Sequence, residues 1–331
     1  MIKTAVVGVG SMGQHHARIY DQLVKSKLVG ISDLDFDRAR SIANRYDVPA
    51  YENYIDLLEK EKPDAVTIAV PTIKHEKVVT DALEAGAHVL VEKPISATIE
   101  EGQRLIKKAE AEKKQLMVGH IVRFNPATQL LKEKLQAGEL GRIYQIVSRR
   151  VGPFPARIRD VGVIVDLAPH DLDLMRFITG KDPVRVFAET EKRIHTDHED
   201  LLTGMLRFPD GIVGILEINW LTPTKVRETL VLGERGMFRV DDLTQDLYYF
   251  ENAHANDELW RDLRVIKGVS EGQMVRFAVQ RQEPLKLELE AFLDALESGD
   301  DVPVSGEDGL AALKLALALV ESGQKHQIVK V

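Results

Sequence analysis

The feature that most limits how this chain can fold is an alternation that runs through its first 120 residues. Short apolar runs at residues 4–9, 28–32, 65–70, 88–91 and 116–118 have the length of buried strands. Amphipathic stretches of helical length separate them, at residues 15–24, 36–46, 74–84 and 99–112, each closing near a Gly, Lys or Pro. Strands that each need a helical crossover to reach the next can pair only in parallel. A parallel sheet of this kind is covered by helices on both faces, the doubly wound α/β arrangement.

The remainder reads differently. Residues 126–137 have a helical pattern, 143–151 read as a strand, and 152–162 are irregular and rich in Pro and Arg. A helix is expected over 163–178, stopping before Gly180. Strand-like runs follow at 184–190, 201–208, 212–220, 228–232 and 237–240, with Pro209-Asp210-Gly211 as a hairpin turn between two of them. Short turns between neighbouring strands imply a largely antiparallel sheet. Two helices, 285–296 and 309–322, finish the chain. A length of 331 residues suits about two domains of ~150 residues. We place them at 1–120 and 121–331, with the junction near 119–125.

Gly8-x-Gly10-x-x-Gly13 sits between the first strand and the first helix. Gly8 permits the tight turn, Gly10 lets a pyrophosphate approach the backbone, and Gly13 lets helix and strand pack closely. The helix N-terminus then offers N–H groups and a partial positive charge to phosphates. Asp33 ends the second strand, 20 residues after Gly13. Its carboxylate suits the adenosine ribose hydroxyls and repels a 2′-phosphate, so NAD is expected rather than NADP. Asp33 as a simple turn cap is the alternative reading, and Arg38 and Arg40 keep NADP in view. A flavin or S-adenosylmethionine could also use such a loop. The candidate cofactor residues are Gly8, Gly10, Ser11, Met12, Gly13, Asp33, Arg38, Pro71, Thr72, His75, Glu92 and Lys93.

Three further features bear on chemistry. Glu92-Lys93-Pro94 directly follows a strand, and ligands of parallel sheets sit outside the strands' carboxyl ends. Lys93 would face a nicotinamide ring, where positive charge and partial burial are expected to lower its pKa; an ordinary surface lysine is the alternative. In a helix, Asp166, His170 and Asp173 share one face and Asp171 points elsewhere, with Pro169 kinking or starting that helix. A histidine held by a carboxylate suits a base that takes a hydroxyl proton. A solvated polar face is the alternative, and a metal site fits poorly with one histidine. From Arg142 to Arg159 there are five arginines (Arg142, Arg149, Arg150, Arg157, Arg159) and no acid. Such forks bind phosphate, and Phe154 could stack on a base or sugar. Ordinary strand-face charge explains Arg149 and Arg150 equally well. Arg123 and Asn125, near the junction, complete the candidates.

Composition removes other classes. There is no cysteine, hence no disulfide, thiolate metal site or cysteine nucleophile. The net charge of −8 argues against a general nucleic-acid binder. The most apolar stretch, 310–320, is short and broken by Lys314, so no membrane span is expected. No secretory leader is expected from the N-terminal residues, and a cytoplasmic location is the expectation.

Taken in order, Gly8-x-Gly10-x-x-Gly13, Glu92-Lys93-Pro94 and Asp166-x-x-x-His170 resemble the Gfo/Idh/MocA oxidoreductases over essentially the whole chain. The ending 304–331 is similar to that family's final helix. The resemblance implies an N-terminal Rossmann domain binding NAD, a C-terminal α+β domain with a mainly antiparallel open sheet, and a substrate held between the two. It assigns catalytic roles to Lys93, Asp166 and His170. Many members carry a second Gly before the Asp-x-x-x-His stretch, where this chain has Gly162-Val-Ile-Val165; we take the change as tolerable. The segment from Arg150 through Gly152-Pro-Phe-Pro to Arg157, Arg159 and Asp160, with His120-x-x-Arg123-Phe-Asn125, is similar to the subgroup acting on UDP-N-acetylglucosamine. That implies Lys93, Arg123, Asn125, Arg150, Arg157, Arg159, Asp160 and His170 as substrate residues. No metal is expected, and because antiparallel sheets with an exposed face commonly pair, a homodimer or homotetramer is the expectation. Alternatives are a family relative oxidising a free sugar or inositol, and a non-catalytic NAD-binding sensor.

Overall fold

The computed structural model describes residues 1–155, 161–194, 197–253 and 270–331. It divides into two compact units, one of residues 1–124 and 283–314, the other of residues 125–282 and 315–331. The first unit therefore holds more than the alternating segment: a late helix and the start of the last one return to it.

In the first unit the strands are β1 (Ile2–Val7), β2 (Ser26–Ser32), β3 (Ala50–Tyr51), β4 (Ala65–Ile68), β5 (His88–Glu92) and β6 (Leu116–Gly119). They form one parallel sheet in the order β3-β2-β1-β4-β5-β6. Its helices are α1 (Gly13–Gln22), α2 (Phe36–Ala43), α3 (Tyr54–Glu61), α4 (His75–Glu84) and α5 (Ile99–Glu112). Ala5, Val6, Val66, Ile68, Val89, Leu90 and Val91 are fully buried, as strands covered on both faces must be. The strand order reverses between β1 and β4, which leaves a crevice at the carboxyl ends of these two strands. Thr98 and Glu101 close a reciprocal capping box at the start of α5. The pair β3 and α3 was not read from the sequence. Its strand is two residues long, too short to register as an apolar run.

The glycine loop makes the tightest contact in this unit. Gly8 has φ +86°, and a Cβ on Gly13 would lie 1.8 Å from the Gly8 carbonyl oxygen. Only a residue without a side chain lets α1 start this close to β1.

The second unit contains α6 (Pro126–Gln136), β7 (Ile143–Pro153), α7 (Val163–Thr179), β8 (Arg185–Glu191), β9 (Leu201–Arg207), β10 (Val213–Asn219), β11 (Leu221–Gly233), β12 (Gly236–Asp241), β13 (Asp246–Ala253) and β14 (Ser270–Phe277). After α8 (Pro284–Ser298), which belongs to the first unit, α9 (Gly306–Lys325) and β15 (Val329–Lys330) end the chain. The sheet order is β14-β13-β12-β11-β7-β10-β9-β8-β15. Among the described pairings it is antiparallel except for β7 with β10. The alternating burial of β9 shows one face packed and one open. α7 lies against β7, β9 and β10. The hairpin at Asp210 forms as expected, with Gly211 at φ +85°. Strands β13 and β14 went unread, because their polar and charged residues carry little apolar alternation.

Replacing Gly13 with Ala forces α1 away from β1. We expect a loss of about 2 kcal/mol or more, read as a lower thermal midpoint, together with weaker NAD binding.

Candidate active site

Each unit carries one part of the candidate chemistry. In the first, the parallel sheet brings the ends of β1, β2, β4 and β5 to one edge. Asp33 stands just past β2, and one of its oxygens, Oδ2, accepts the Val9 N–H at 2.9 Å, tying it to the glycine loop. Its other oxygen accepts the Asp35 N–H at 2.9 Å, so the carboxylate also caps the turn. Arg38 donates to Asp35 at 2.8 Å and reaches Asp33 only at 3.5 Å. A cavity of about 470 Å³ opens here, lined by Val9, Gly10, Ser11, Gln14, Arg38, Ser41, Ile42 and Arg45. A Cβ at Gly10 would meet nothing within 4 Å, so the backbone there is open to a ligand. Open backbone beside a helix N-terminus, with an acid across the cavity, is what a dinucleotide's pyrophosphate and ribose need. Ser41 and Arg45 escaped the sequence reading. Their signal was helical spacing, since Arg38, Ser41 and Arg45 fall at i, i+3 and i+7.

Lys93 follows β5 directly, between Glu92 and Pro94. The Glu92 carboxylate receives a hydrogen bond from His16 Nε2 at 2.8 Å, and with Lys93 beside it the carboxyl is held below its usual range despite burial. His75 is buried at the start of α4. Its Nδ1 lies 2.9 Å from the Pro94 carbonyl oxygen and its Nε2 3.0 Å from that of Val70. Burial keeps its pKa below the usual histidine value. Glu92 and His75, named from the sequence as cofactor residues, thus have their polar atoms engaged within the protein. Pro71 and Thr72 form the turn just before His75.

In the second unit α7 carries Asp166 in its first turn and His170 one turn on, and continues through Pro169 without a break. Its N-terminus is capped from outside. The Glu199 backbone oxygen accepts the Val163 N–H at 2.9 Å and the Glu199 carboxylate accepts that of Ile164 at 3.2 Å. A Cβ at Gly162 would lie 2.1 Å from that carboxylate, so a larger residue there would turn the Glu199 side chain aside. Asp171, next to His170, is fully buried. It accepts two bonds from Arg150, at 2.7 and 3.0 Å, and one from Ser148 at 2.5 Å. Asp242 stands 3.4 Å from the same guanidinium, and burial pushes its carboxyl up to about 6. Arg227 donates to the Val151 and Val226 carbonyls at 2.6 and 2.7 Å, and burial beside Arg150 pulls it down to about 10.

The fold gives several of the residues named from the sequence partners within the protein. Arg150 is the buried partner of Asp171. Arg123 is buried against the Pro303 carbonyl at 3.2 Å and Asp308 at 3.1 Å. Asn125 caps α6 and donates to the Asp242 carbonyl at 3.0 Å. Arg149 pairs with Glu217 at 3.1 Å, so the run of arginines is partly neutralised where the fold brings acids to it. Phe154 meets Trp220 edge to face at 5.6 Å rather than standing open. Arg157, Arg159 and Asp160 lie outside the described residues. Among the described residues no helix is long and apolar enough to cross a membrane.

Two predictions follow from the buried charges. Arg150→Met strands the Asp171 carboxylate and should cost about 3–5 kcal/mol in denaturant unfolding. Asp242 behaves oppositely. Its folded pKa is raised, so the stability it contributes is complete below its ordinary 3.8 and is lost as pH rises through about 6. Asp242→Asn keeps the neutral form at every pH. It should stabilise the protein by up to about 3 kcal/mol at pH 7.5, and by less than about 1 kcal/mol at pH 4.

Comparison with known proteins agrees with this layout. Residues 2–120 match a family model described as "Oxidoreductase family, NAD-binding Rossmann fold", and residues 128–239 match the "GFO/IDH/MocA C-terminal domain". The chain is 32% identical to a UDP-N-acetylglucosamine 3-dehydrogenase of Acidithiobacillus ferrooxidans over 96% of its length and 95% of that protein. It is 28% identical to a myo-inositol 2-dehydrogenase of Thermotoga maritima, over 99% of this chain and 98% of that one. A solved structure of the Acidithiobacillus enzyme superposes with a TM-score of 0.85 at 30% identity, covering 98% of each chain. With its dinucleotide crevice and both domains matched, the chain belongs to the Gfo/Idh/MocA family and is an NAD-dependent oxidoreductase.

Proposed function

We propose that this protein oxidises the 3-hydroxyl of UDP-N-acetylglucosamine to a 3-keto group. The observation that carries the reading is the 32% identity, across nearly the whole chain, to an enzyme named for that activity. NAD, held by Gly8–Gly13 and Asp33, supplies the hydride acceptor when bound. His170 accepts the hydroxyl proton, and Asp166, one turn earlier on α7, fixes the ring's orientation and favours the imidazolium. Lys93 hydrogen-bonds the same oxygen and steadies the charge that develops on it. The assembly we propose is a homodimer or homotetramer, and the absence of cysteine fits a reducing compartment such as the cytoplasm.

A second reading has specific support. Arg149 and Arg150 are held by Glu217 and Asp171, which leaves fewer open cations for a diphosphate. Several relatives are named as inositol dehydrogenases. A free cyclic polyol is therefore the rival substrate.

Mixing the protein with NAD and a panel of UDP-sugars and inositols, and following NADH absorbance, separates the two. Turnover of UDP-N-acetylglucosamine well above that of myo-inositol is expected; the reverse order overturns the proposal. Lys93→Ala and His170→Ala should each lower kcat by ~100- to 10,000-fold while NAD affinity holds.

A further inference from the structure

The three-residue segment carrying Lys93 is gripped on both sides by buried histidines that the reaction itself does not use. On one side His16, in α1 and fully buried, bonds Glu92 at 2.8 Å. His16 Nδ1 has no partner among the described residues, so its proton belongs on Nε2, pointing at the carboxylate. The neighbouring strand leaves room for that carboxylate. A Cβ at Gly119, which pairs with Glu92 across β5 and β6, would lie only 3.2 Å from Glu92 Oε2. On the other side the His75 ring lies between the turns after β4 and β5, with Nδ1 2.9 Å from the Pro94 carbonyl oxygen and Nε2 3.0 Å from that of Val70; the neutral ring has one N–H, and donating it from Nδ1 ties His75 to the segment that carries Lys93.

A merely structural role does not account for these groups. Burying a carboxylate and an imidazole is costly, and well-packed apolar residues in their place are often as stable or more so. Polar atoms aimed at backbone and side chain on each side of one lysine do what apolar packing cannot, which is to fix direction. A lysine's long stem makes its ammonium sensitive to the path of its own backbone. A displacement of about 1 Å from a reacting oxygen can cost on the order of 100-fold in rate.

We propose that His16, acting through Glu92, and His75, acting through the Pro94 carbonyl, are positioning residues that set the direction of the Lys93 ammonium. The helices that carry them begin at the glycine loop and just after Pro71-Thr72. The elements that seat the dinucleotide therefore also aim the lysine. This inference rests on the reading that Lys93 bonds the substrate oxygen.

The test uses the full-length protein with NAD. The variants are His16→Leu with Glu92→Leu together, Glu92→Gln, His16→Gln, His75→Gln and, as benchmark, Lys93→Met. Turnover is measured on UDP-N-acetylglucosamine and myo-inositol, NADH binding by fluorescence, and thermal midpoint by calorimetry. Lys93 is also observed directly, as its 13C-dimethylated amine by NMR, assigned with Lys93→Arg. We expect the double Leu variant to fold with an unchanged or higher midpoint and to bind NADH within threefold of wild type. Its kcat should fall at least tenfold at steady KM, and its Lys93 resonance should move toward that of a solvent lysine. His75→Gln should move the resonance and lower kcat in the same direction. His16→Gln, which still donates, should recover kcat to within about threefold. If the double variant fails to fold, Glu92→Gln carries the same readings. An unmoved Lys93 resonance overturns the proposal whatever happens to turnover, as does a moved resonance with full kcat. Full turnover in Lys93→Met instead overturns the role given to the lysine, and the resonance still decides whether the histidines aim it.

Discussion

Parallel pairing is the constraint on which the first unit depends. Because every strand of that sheet runs the same way, every strand leaves by the same edge. Residues far apart in sequence are delivered there together: the glycine loop after β1, Asp33 after β2, Pro71-Thr72 after β4 and Lys93 after β5. The close approach of Gly13 to Gly8 then lets α1 point its N-terminus into the crevice. No single residue creates the site; strand direction does.

The second unit solves a different problem. Its sheet is open on one face, so a helix must be held on the other in a fixed rotation if its histidine is to serve as a base. The bidentate bond from Arg150 to Asp171 does this, since Asp171 adjoins His170 on α7 and Arg150 lies on β7. Asp242 and Arg227 lie close to the same pair, and burial there raises the Asp242 carboxyl and lowers the Arg227 guanidinium. Glu199 accepts the Val163 and Ile164 N–H groups at the start of the same helix. Each unit thus places a buried charged group beside a residue proposed for chemistry.

Much of this was legible from the chain alone. The apolar runs and glycine spacing gave the parallel sheet because both patterns are local: five residues make a buried strand, and six make the phosphate loop. The order of three motifs gave the family. What the local view missed had weak local signals, such as the two-residue β3 and the polar strands β13 and β14. The arginine run misled in part. Charge counted along the sequence is not charge in space, and Glu217, Asp171 and Asp242 come to Arg149 and Arg150 only through pairing of distant strands and helices.

The sequence by itself determined the fold class of both domains and the dinucleotide loop. These follow from periodicity and spacing, which one stretch of chain carries unaided. Only the tertiary structure decided which of the named residues have their polar atoms engaged inside the protein. Arg123, Asn125, Arg150, Glu92 and His75 look alike to a reader of sequence, as polar residues near a motif. Each has a partner between 19 and 185 residues away, and a hydrogen bond at that separation exists only once the chain has closed around it.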